Sequence, residues 1–432
     1  VSELGHILPD EKECRDCGLF QHVPPLAPGE AALCRRCDGT LRQGRKDSLN
    51  RTLACAVGAL ALFVLALQLP FLDVTAAGQT YQANLFTGPD MLGVRGMWEI
   101  SAVVLVTLVG VPALQFLLLI VVLLGLKLPH PPRFLPFLFG WVERLRPWSM
   151  IEVFLLGVFV AYTRLQVIAQ VNVGPALFAL GGVMLCVIAA DVELDHEEVW
   201  DQLTQRGLLK LRPPPEGHRR IGCDCCGLVL LAPPLWPCPR CGRRLRQRKR
   251  QSLPSTWALL IAATVLYIPA NIYPIITVIR FGQGQPSTIM QGVIELLQLS
   301  MWPLALLVFL ASITVPLLKL VGLTVMLINT HEGSDRWLLL RTRAFRAIEV
   351  VGRWSMIDVF MLTVLTALVR MGYIATVLPD VGAVCFAAVV VLTMVATAMF
   401  DPRLMWDRAL AAGHDVGVAQ PELPQSPLRQ GV

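Results

Sequence analysis

The sequence predicts a polytopic α-helical membrane protein with eight transmembrane helices, arranged as two tandem four-helix modules, each preceded by a small cytoplasmic zinc ribbon. Three observations carry that prediction. The 432 residues are 55% hydrophobic and only 16% charged, whereas soluble domains carry about 25% charged residues. Several apolar runs exceed the roughly 18 residues that cross a hydrocarbon core. One phrase also recurs, WSMIEVFLLGV at 148–158 and WSMIDVFMLTV at 354–364, each time with a carboxylate entering an apolar run.

The apolar runs place the spans at about 51–72, 98–126, 149–170, 173–191, 256–279, 299–328, 354–373 and 380–400. The chain opens on polar residues and a Cys cluster, not on a basic stretch leading into a short apolar core, so the first span is expected to act as the anchor. Lys and Arg crowd 35–51, 127–146, 206–250, 336–353 and 403–408, while the alternate connections carry little beyond Arg95 and Arg280. The positive-inside rule therefore puts the basic segments and both termini in the cytoplasm. The net charge of +6 follows from this bias. Anionic lipid headgroups account for it, and no nucleic-acid partner is expected.

The two halves align at a steady offset. Ser48 matches Ser252 and Pro112 matches Pro316 at 204 residues, as does Cys37 with Cys241; Trp148 matches Trp354, Arg164 matches Arg370 and Trp200 matches Trp406 at 206. The repeated unit is a Cys module followed by four spans. Four is even, so both copies face the same way, as a parallel repeat with its axis along the membrane normal. The chain divides into a first zinc ribbon (1–47), a first membrane module (48–195), a linker with the second ribbon (196–250), a second membrane module (251–402) and a cytoplasmic tail (403–432). The linker contains PPPEGHRR at 213–220, and residues 411–432, rich in Gly, Pro and Gln, read as disordered.

The Cys modules are the most specific local signal. The first reads Cys14-x-x-Cys17-Gly and Cys34-x-x-Cys37-Asp-Gly; the second reads Cys223-x-x-Cys226-Gly and Cys238-x-x-Cys241-Gly. Two such knuckles can present four thiolates tetrahedrally at about 2.3 Å from one zinc ion, and a Gly after the knuckle tolerates the tight turn. With four protein ligands no position is left for an activated water, so two structural zinc ions are expected. Redox dithiols are the competing reading of CxxC; a reducing cytoplasmic setting and the lack of a βαβ context weigh against them. Cys225 can compete with Cys223 or Cys226, although the spacing favours the outer pair. Cys55, Cys186 and Cys385 lie in spans and read as small apolar fillers.

Ionisable residues inside a bilayer are costly and mark function. Asp358 enters its span about 7 to 8 Å below the cytoplasmic surface, and Lys319 in the sixth span lies at comparable depth. With Ser355 on the face of Asp358, the pair reads as a buried polar transport cluster. The alternative is that Lys319 snorkels to the interface and Asp358 caps a helix N-terminus. The first copy keeps the carboxylate as Glu152 and the serine as Ser149 but has Gln115 in place of Lys319. Arg164 and Arg370 lie near the opposite ends of their spans and are expected to snorkel outward. Pro112 and Pro316 bend their spans, and Trp148 and Trp354 read as interfacial anchors. The chain contains no GxxxxGK[ST], HExxH or GxSxG sequence, and its seven His residues lie outside the spans, so it reads as a non-enzyme.

The duplicated four-Cys modules, GRWSMIDVF at 352–360, PLLKL at 316–320, LYIPANIYPI at 266–275, PSTIMQGVIEL at 286–296 and FDPRLMWDR at 400–408 together resemble the paraquat-inducible protein A (PqiA/LetA) family of bacterial inner-membrane proteins. The resemblance covers nearly the whole chain and is closer in the C-terminal half. It implies a partner of the PqiB type, an MCE-domain protein that bridges the periplasm as a hydrophobic conduit, and a role in loading or receiving phospholipid at the inner-membrane end. It also implies tetraspanin- and claudin-like modules, with small extracytoplasmic strands supplied by the loops at 73–97 and 280–298. Two other classes stand beside lipid trafficking: a small-molecule efflux carrier, and a membrane stress sensor using the ribbons as zinc or thiol switches.

Overall fold

Among the described residues, eight helices are long and apolar enough to cross a membrane: Ser48–Gln68, Trp98–Lys127, Leu135–Leu165, Pro175–Glu193, Ser252–Ile272, Trp302–His331, Leu338–Leu368 and Val381–Met399, the first to eighth spans. The computed structural model describes residues 7–8, 10–24, 26–76, 79–166, 170–208, 220–280, 283–368, 375–414 and 429–430. The chain is a multi-pass membrane protein, and even its shortest spans, of 19 residues, reach about 28 Å, close to the hydrocarbon thickness. The third and seventh helices begin at Leu135 and Leu338, well before the tryptophans that hydropathy marks as their starts. Each is broken by a 3-10 turn, Arg146–Trp148 and Gly352–Met356, which sets the amphipathic leading segments Leu135–Leu145 and Leu338–Val351 apart from the span proper.

The duplication is visible in the hydrogen bonds. Ser48 Oγ accepts from the Asp195 amide at 2.8 Å and Ser252 Oγ from the Asp401 amide at 2.9 Å, so each module's first span is tied to the chain leaving its fourth. The first and fourth spans of each module pack along their length. The second span of each module carries a π-helical turn, Val106–Gly110 and Leu310–Thr314, just before Pro112 and Pro316. A proline ring crowds the carbonyl four residues earlier, and the extra residue of a π turn absorbs that conflict.

Opposite the Cys modules, each four-span module carries a three-stranded antiparallel sheet. Leu72–Ala76 pairs with Gln79–Ala83 and with Gln170–Val173; Ile276–Arg280 pairs with Gln283–Ser287 and with Ala375–Pro379. The first hairpin lies in its expected loop, but the strand Ile276–Arg280 takes residues expected at the end of the fifth span, which stops at Ile272, and only Gln283–Ser287 falls in the loop expected at 280–298. The third strand, entering from just before each fourth span, has too little sequence signal to be read in advance.

The membrane core is one apolar cluster through both modules, with the seventh span at its centre. Every residue of Ile357–Leu368 except Met361 is buried. The first module closes on it at two glycines. A Cβ on Gly157 would stand 3.0 Å from Phe360 Cβ and 3.2 Å from Ile357 O, and one on Gly88 would stand 2.4 Å from Thr363 Cγ2. Phe154 meets Phe360 edge to face with ring centres 5.6 Å apart.

The ribbons precede their own modules in sequence but pack on each other's. Cys14, Cys17, Cys34 and Cys37 join an apolar cluster with Leu253, Phe345, Phe400 and Trp406 of the second module. Cys223, Cys226 and Cys238 join one with Leu119, Phe139 and Trp200 of the first. The crossing is pseudo-symmetric: Arg36 of the first ribbon lies 5.2 Å from the centre of the Trp406 ring, and its counterpart Arg240 lies 5.9 Å from that of Trp200. The ribbons also meet, through pairing of Ile7–Leu8 with Val229–Leu231 and the Gly222 amide donating to Glu13 Oε2 at 3.1 Å. In the tail, Arg403–Ala411 is a helix that buries Met405 and Trp406, and Arg429–Gln430 pair with Glu30–Ala31. Linker residues 209–219, tail residues 415–428 and 431–432, and Arg370 lie outside the described residues.

Overpacking at a close helix crossing costs about 1–3 kcal/mol. Gly157→Leu is therefore expected to lower the thermal unfolding midpoint of the detergent-solubilised chain, while Gly181→Leu, where a Cβ meets nothing within 4 Å, is expected to leave it unchanged.

Candidate functional site

Each Cys module is built by two hairpin knuckles. Gly18, Gly227 and Gly242 follow the second cysteine of three knuckles at φ +71°, +68° and +72°, and Asp38 takes the same left-handed place in the fourth at φ 57°. That conformation turns each following amide back onto the first cysteine's carbonyl, at 2.9 Å for Gly18, 3.0 Å for Asp38, 3.0 Å for Gly227 and 2.8 Å for Gly242. Asp tolerates the position as a short polar side chain.

The turns gather the thiols. Cys14 and Cys37 Sγ are 3.5 Å apart, Cys17 and Cys34 3.5 Å, Cys223 and Cys241 3.4 Å, and Cys226 and Cys238 3.6 Å. Within each group all four sulfurs lie within 4.8 Å of one another, and none is in a disulfide. Four sulfurs at about 2.3 Å from one ion would be about 3.8 Å apart, so each set fits a single tetrahedral metal ion. Donors around the first set match thiolate charge: Arg346 Nη2 donates to Cys37 Sγ at 3.0 Å, and Gln21 Nε2 to Cys34 Sγ at 3.0 Å. Cys225 is outside the set; its sulfur lies 3.4 Å from where a Cβ on Gly140 would stand.

Arg403 anchors the charged junction between the ribbons and the second module. It donates to Asp401 at 3.0 and 3.1 Å, to Glu13 at 3.2 Å and to Asp224 at 2.9 Å. Arg248 bridges Glu13 at 2.9 Å and Asp407 at 2.5 Å. Burial raises the Glu13 carboxyl above its usual range despite both arginines. Burial also pushes Asp401 up, but hydrogen bonding and charge from Arg403 outweigh it and hold Asp401 low.

Within the membrane the predicted polar residues separate into two groups. Lys319, 2% exposed, donates to Gly352 O at 2.6 Å and Ser355 Oγ at 3.1 Å, so it does not snorkel. A Cβ on Gly352 would stand 2.6 Å from Lys319 Cε. The expected pairing of Lys319 with Asp358 is not formed, because the 3-10 turn at 352–356 offers a backbone carbonyl that takes the lysine first. Asp358, in the first turn of Ile357–Leu368, is buried with Oδ2 unpartnered. It lines a small cavity of about 40 Å³ together with Ser312, from the π turn, and Arg164.

Arg164 overturns its own expectation. It points inward from the end of the third span, with Nη2 3.3 Å from where a Cβ on Gly292 would stand and Nε buried without a hydrogen-bond partner. It also lines a larger cavity of about 980 Å³ on the sheet side, walled by Ile276, Ser287, Gln291, Glu295 and Leu365. The first copy does not reproduce the arrangement: Glu152 is exposed, Ser149 is half-buried, and Gln115 is buried with Oε1 unpartnered. Ser312, Gly292 and Glu295 were not legible as site residues. The local signals were the stretch PSTIMQGVIEL at 286–296 and, within it, the capping box of Thr288 and Gln291, which starts the helix Ile289–Gln298 that carries Gly292 and Glu295.

Fold and site together define a multi-pass, internally duplicated helical membrane protein with two four-thiol centres on one side and a partly polar membrane cavity on the other. The chain belongs to the paraquat-inducible protein A family, whose model matches residues 49–204 and 253–409. It is 35% identical over 409 residues to the intermembrane transport protein PqiA of Escherichia coli K12, covering 93% of this chain and 97% of that one. It is 30% identical over 410 residues to the lipophilic envelope-spanning tunnel protein A of the same strain, covering 94% of each. A probable intermembrane transport protein of Haemophilus influenzae is 28% identical over 405 residues, 91% of this chain and 95% of the relative. No solved structure matches the chain significantly.

Loss of an outer-shell partner weakens metal sites by about 10–100-fold. Arg346→Gln is expected to weaken metal retention by the first centre to that extent and not by the second, read by competition with a chromophoric chelator. Because the ribbons are crossed, Cys37→Ser is expected to raise hydrogen exchange in Leu338–Val351, and Cys238→Ser in His196–Gln205. The depressed Asp401 contributes stability above its unfolded value of about 3.9 that is lost as pH falls through its folded value. Asp401→Asn is expected to cost about 1.5–3 kcal/mol at pH 7 and to flatten the fall in unfolding midpoint seen for the native chain on acidification below about pH 4.

Proposed function

We propose that this chain is the inner-membrane component of an MCE-protein lipid-trafficking system between inner and outer membranes, loading or receiving phospholipid for a periplasmic conduit. The observation that carries this reading is the cavity of about 980 Å³ at the sheet end of the second module. Its wall combines apolar side chains, Ile276, Val278, Ile294 and Leu299 among them, with the half-buried cation of Arg164. An acyl chain needs the apolar wall and a phosphate needs the cation. The names of the relatives, intermembrane transport protein and envelope-spanning tunnel protein, support the same class.

In this reading the Lys- and Arg-rich ribbon side and both termini are cytoplasmic, and the two sheets face the periplasm, where an MCE-domain protein of the PqiB type docks. Each four-thiol centre holds one zinc ion, whose chemistry is purely structural: it neutralises the thiolates and locks the knuckles. The residues of the second module do the work. The buried Lys319 with Ser355 and the buried Asp358 with Ser312 form a polar column, reaching Arg164, along which protonation or pairing changes as lipid moves. Glu152 and Ser149 keep the sequence pattern in the first module, which acts as scaffold. The reading involves no catalysis.

Gentle isolation from native membranes followed by mass spectrometry of every co-purifying protein and lipid tests the assembly. An MCE protein with phospholipid in defined stoichiometry is the expected result; recovery of neither, under conditions that keep other envelope complexes intact, points to the small-molecule carrier or the stress sensor instead. Asp358→Asn and Lys319→Met are each expected to reduce lipid transfer about tenfold or more at normal membrane levels, on the scale of a buried charge interaction. Full transfer by both variants would make the polar column merely structural.

A further inference from the structure

The large cavity carries more information than its volume. Of the residues that line it, two are charged, Arg164 and Glu295. They come from different modules: Arg164 ends the third span and Glu295 lies on the helix Ile289–Gln298. Arg164 forms no hydrogen bond or ion pair with a described residue, and its Nε is sealed from solvent without a partner. The acidic groups that face it are Asp358, across the small cavity, and Glu295. Neither comes within ion-pair distance, and Asp358 Oδ2 is itself buried and unpartnered. Gly292 keeps the guanidinium seat open, since a Cβ there would stand 3.3 Å from Nη2.

A guanidinium with one N–H sealed from water and no anion in contact is costly. A guanidinium presents forked donors that match a phosphate, so a phosphodiester entering the cavity supplies what Arg164 lacks. Glu295 imposes a second condition. It is exposed at the rim of the same cavity, and as an ionised carboxylate it accepts hydrogen bonds but donates none. A headgroup that ends in an ammonium pairs with it, whereas a terminal glycerol offers only neutral hydroxyls and leaves the carboxylate's charge unmatched beside the lipid phosphate. Gln291 and Gln298 add amides between the two charges, and Ile294, Leu299 and Met301 extend the wall in apolar side chains.

Resting on the lipid reading above, we propose that this cavity selects zwitterionic aminophospholipids, with the lipid phosphate on Arg164 and the headgroup ammonium on Glu295. Arg164 supplies binding and Glu295 supplies discrimination against anionic headgroups.

The test uses the full chain in bilayer discs of equimolar phosphatidylethanolamine and phosphatidylglycerol, with retained lipids counted by native mass spectrometry. The native chain is expected to retain phosphatidylethanolamine over phosphatidylglycerol by about tenfold, on the scale of one charge-assisted hydrogen bond gained. Glu295→Gln is expected to abolish the preference and Glu295→Lys to reverse it, while Arg164→Gln loses both lipids. Glu295 is exposed, so its variants do not threaten folding. Lipid retained without preference, or a preference that Glu295→Lys leaves unmoved, overturns this inference and leaves the lipid reading standing. Retention of neither lipid by the native chain overturns the lipid reading itself. Displacement of bound lipid by soluble phosphoethanolamine at millimolar concentration would assign the site to a free headgroup and overturn the lipid assignment.

Discussion

The close approach of the third and seventh spans at Gly157 is the constraint on which the membrane region depends. With no Cβ at that crossing, the backbone at Ile357 and Met361 and the Cβ of Phe360 come within van der Waals contact of the first module. Two consequences follow. The seventh span is enclosed by protein and not by lipid, so Asp358, Thr363 and Thr366 can sit in it without meeting hydrocarbon. Arg164, two turns along the third span from Gly157, is carried past the module boundary into the second module's cavity. Moving the two helices apart would expose the first group and withdraw the second.

The crossed ribbons make the same connection from the other side of the membrane. Each ribbon is covalently joined to one module and packed on the other, so the modules are linked twice, by chain and by contact. The four-thiol set that joins each pair of knuckles thereby sets Arg36 on Trp406, or Arg240 on Trp200. Arg403, with partners in both ribbons and beside the eighth span, ties the crossing to the membrane region. The four-thiol sets are thereby placed where they govern the relative placement of the modules as much as the fold of a small domain.

Duplication supplied two similar units and the packing made them unlike. Both copies have the serine tether, the π turn before proline, the three-stranded sheet and the broken third helix. Only the second encloses its carboxylate. Glu152 faces outward on a span that packs on one side, while Asp358 faces inward on a span surrounded on all sides. Gln115 in place of Lys319 follows the same difference: the first copy buries a neutral amide where the second buries a lysine.

By itself the sequence determined the eight spans, the tandem repeat, the bias of basic residues to one side and the four-thiol knuckles. Each depends on local spacing: run length against bilayer thickness, offset between copies, and a CxxC turn closed by a left-handed residue. It also named Lys319, Ser355 and Asp358 as buried polar residues, because charge inside an apolar run is conspicuous. The tertiary structure alone decided who meets whom. Lys319 turned to a carbonyl exposed by a 3-10 turn instead of to Asp358; Arg164 turned inward because Gly292 leaves room for it; and the ribbons crossed because their apolar faces match the opposite modules. These are contacts between segments far apart in the chain, settled by shape and by the need to satisfy every buried polar group, and no local pattern of residues encodes them.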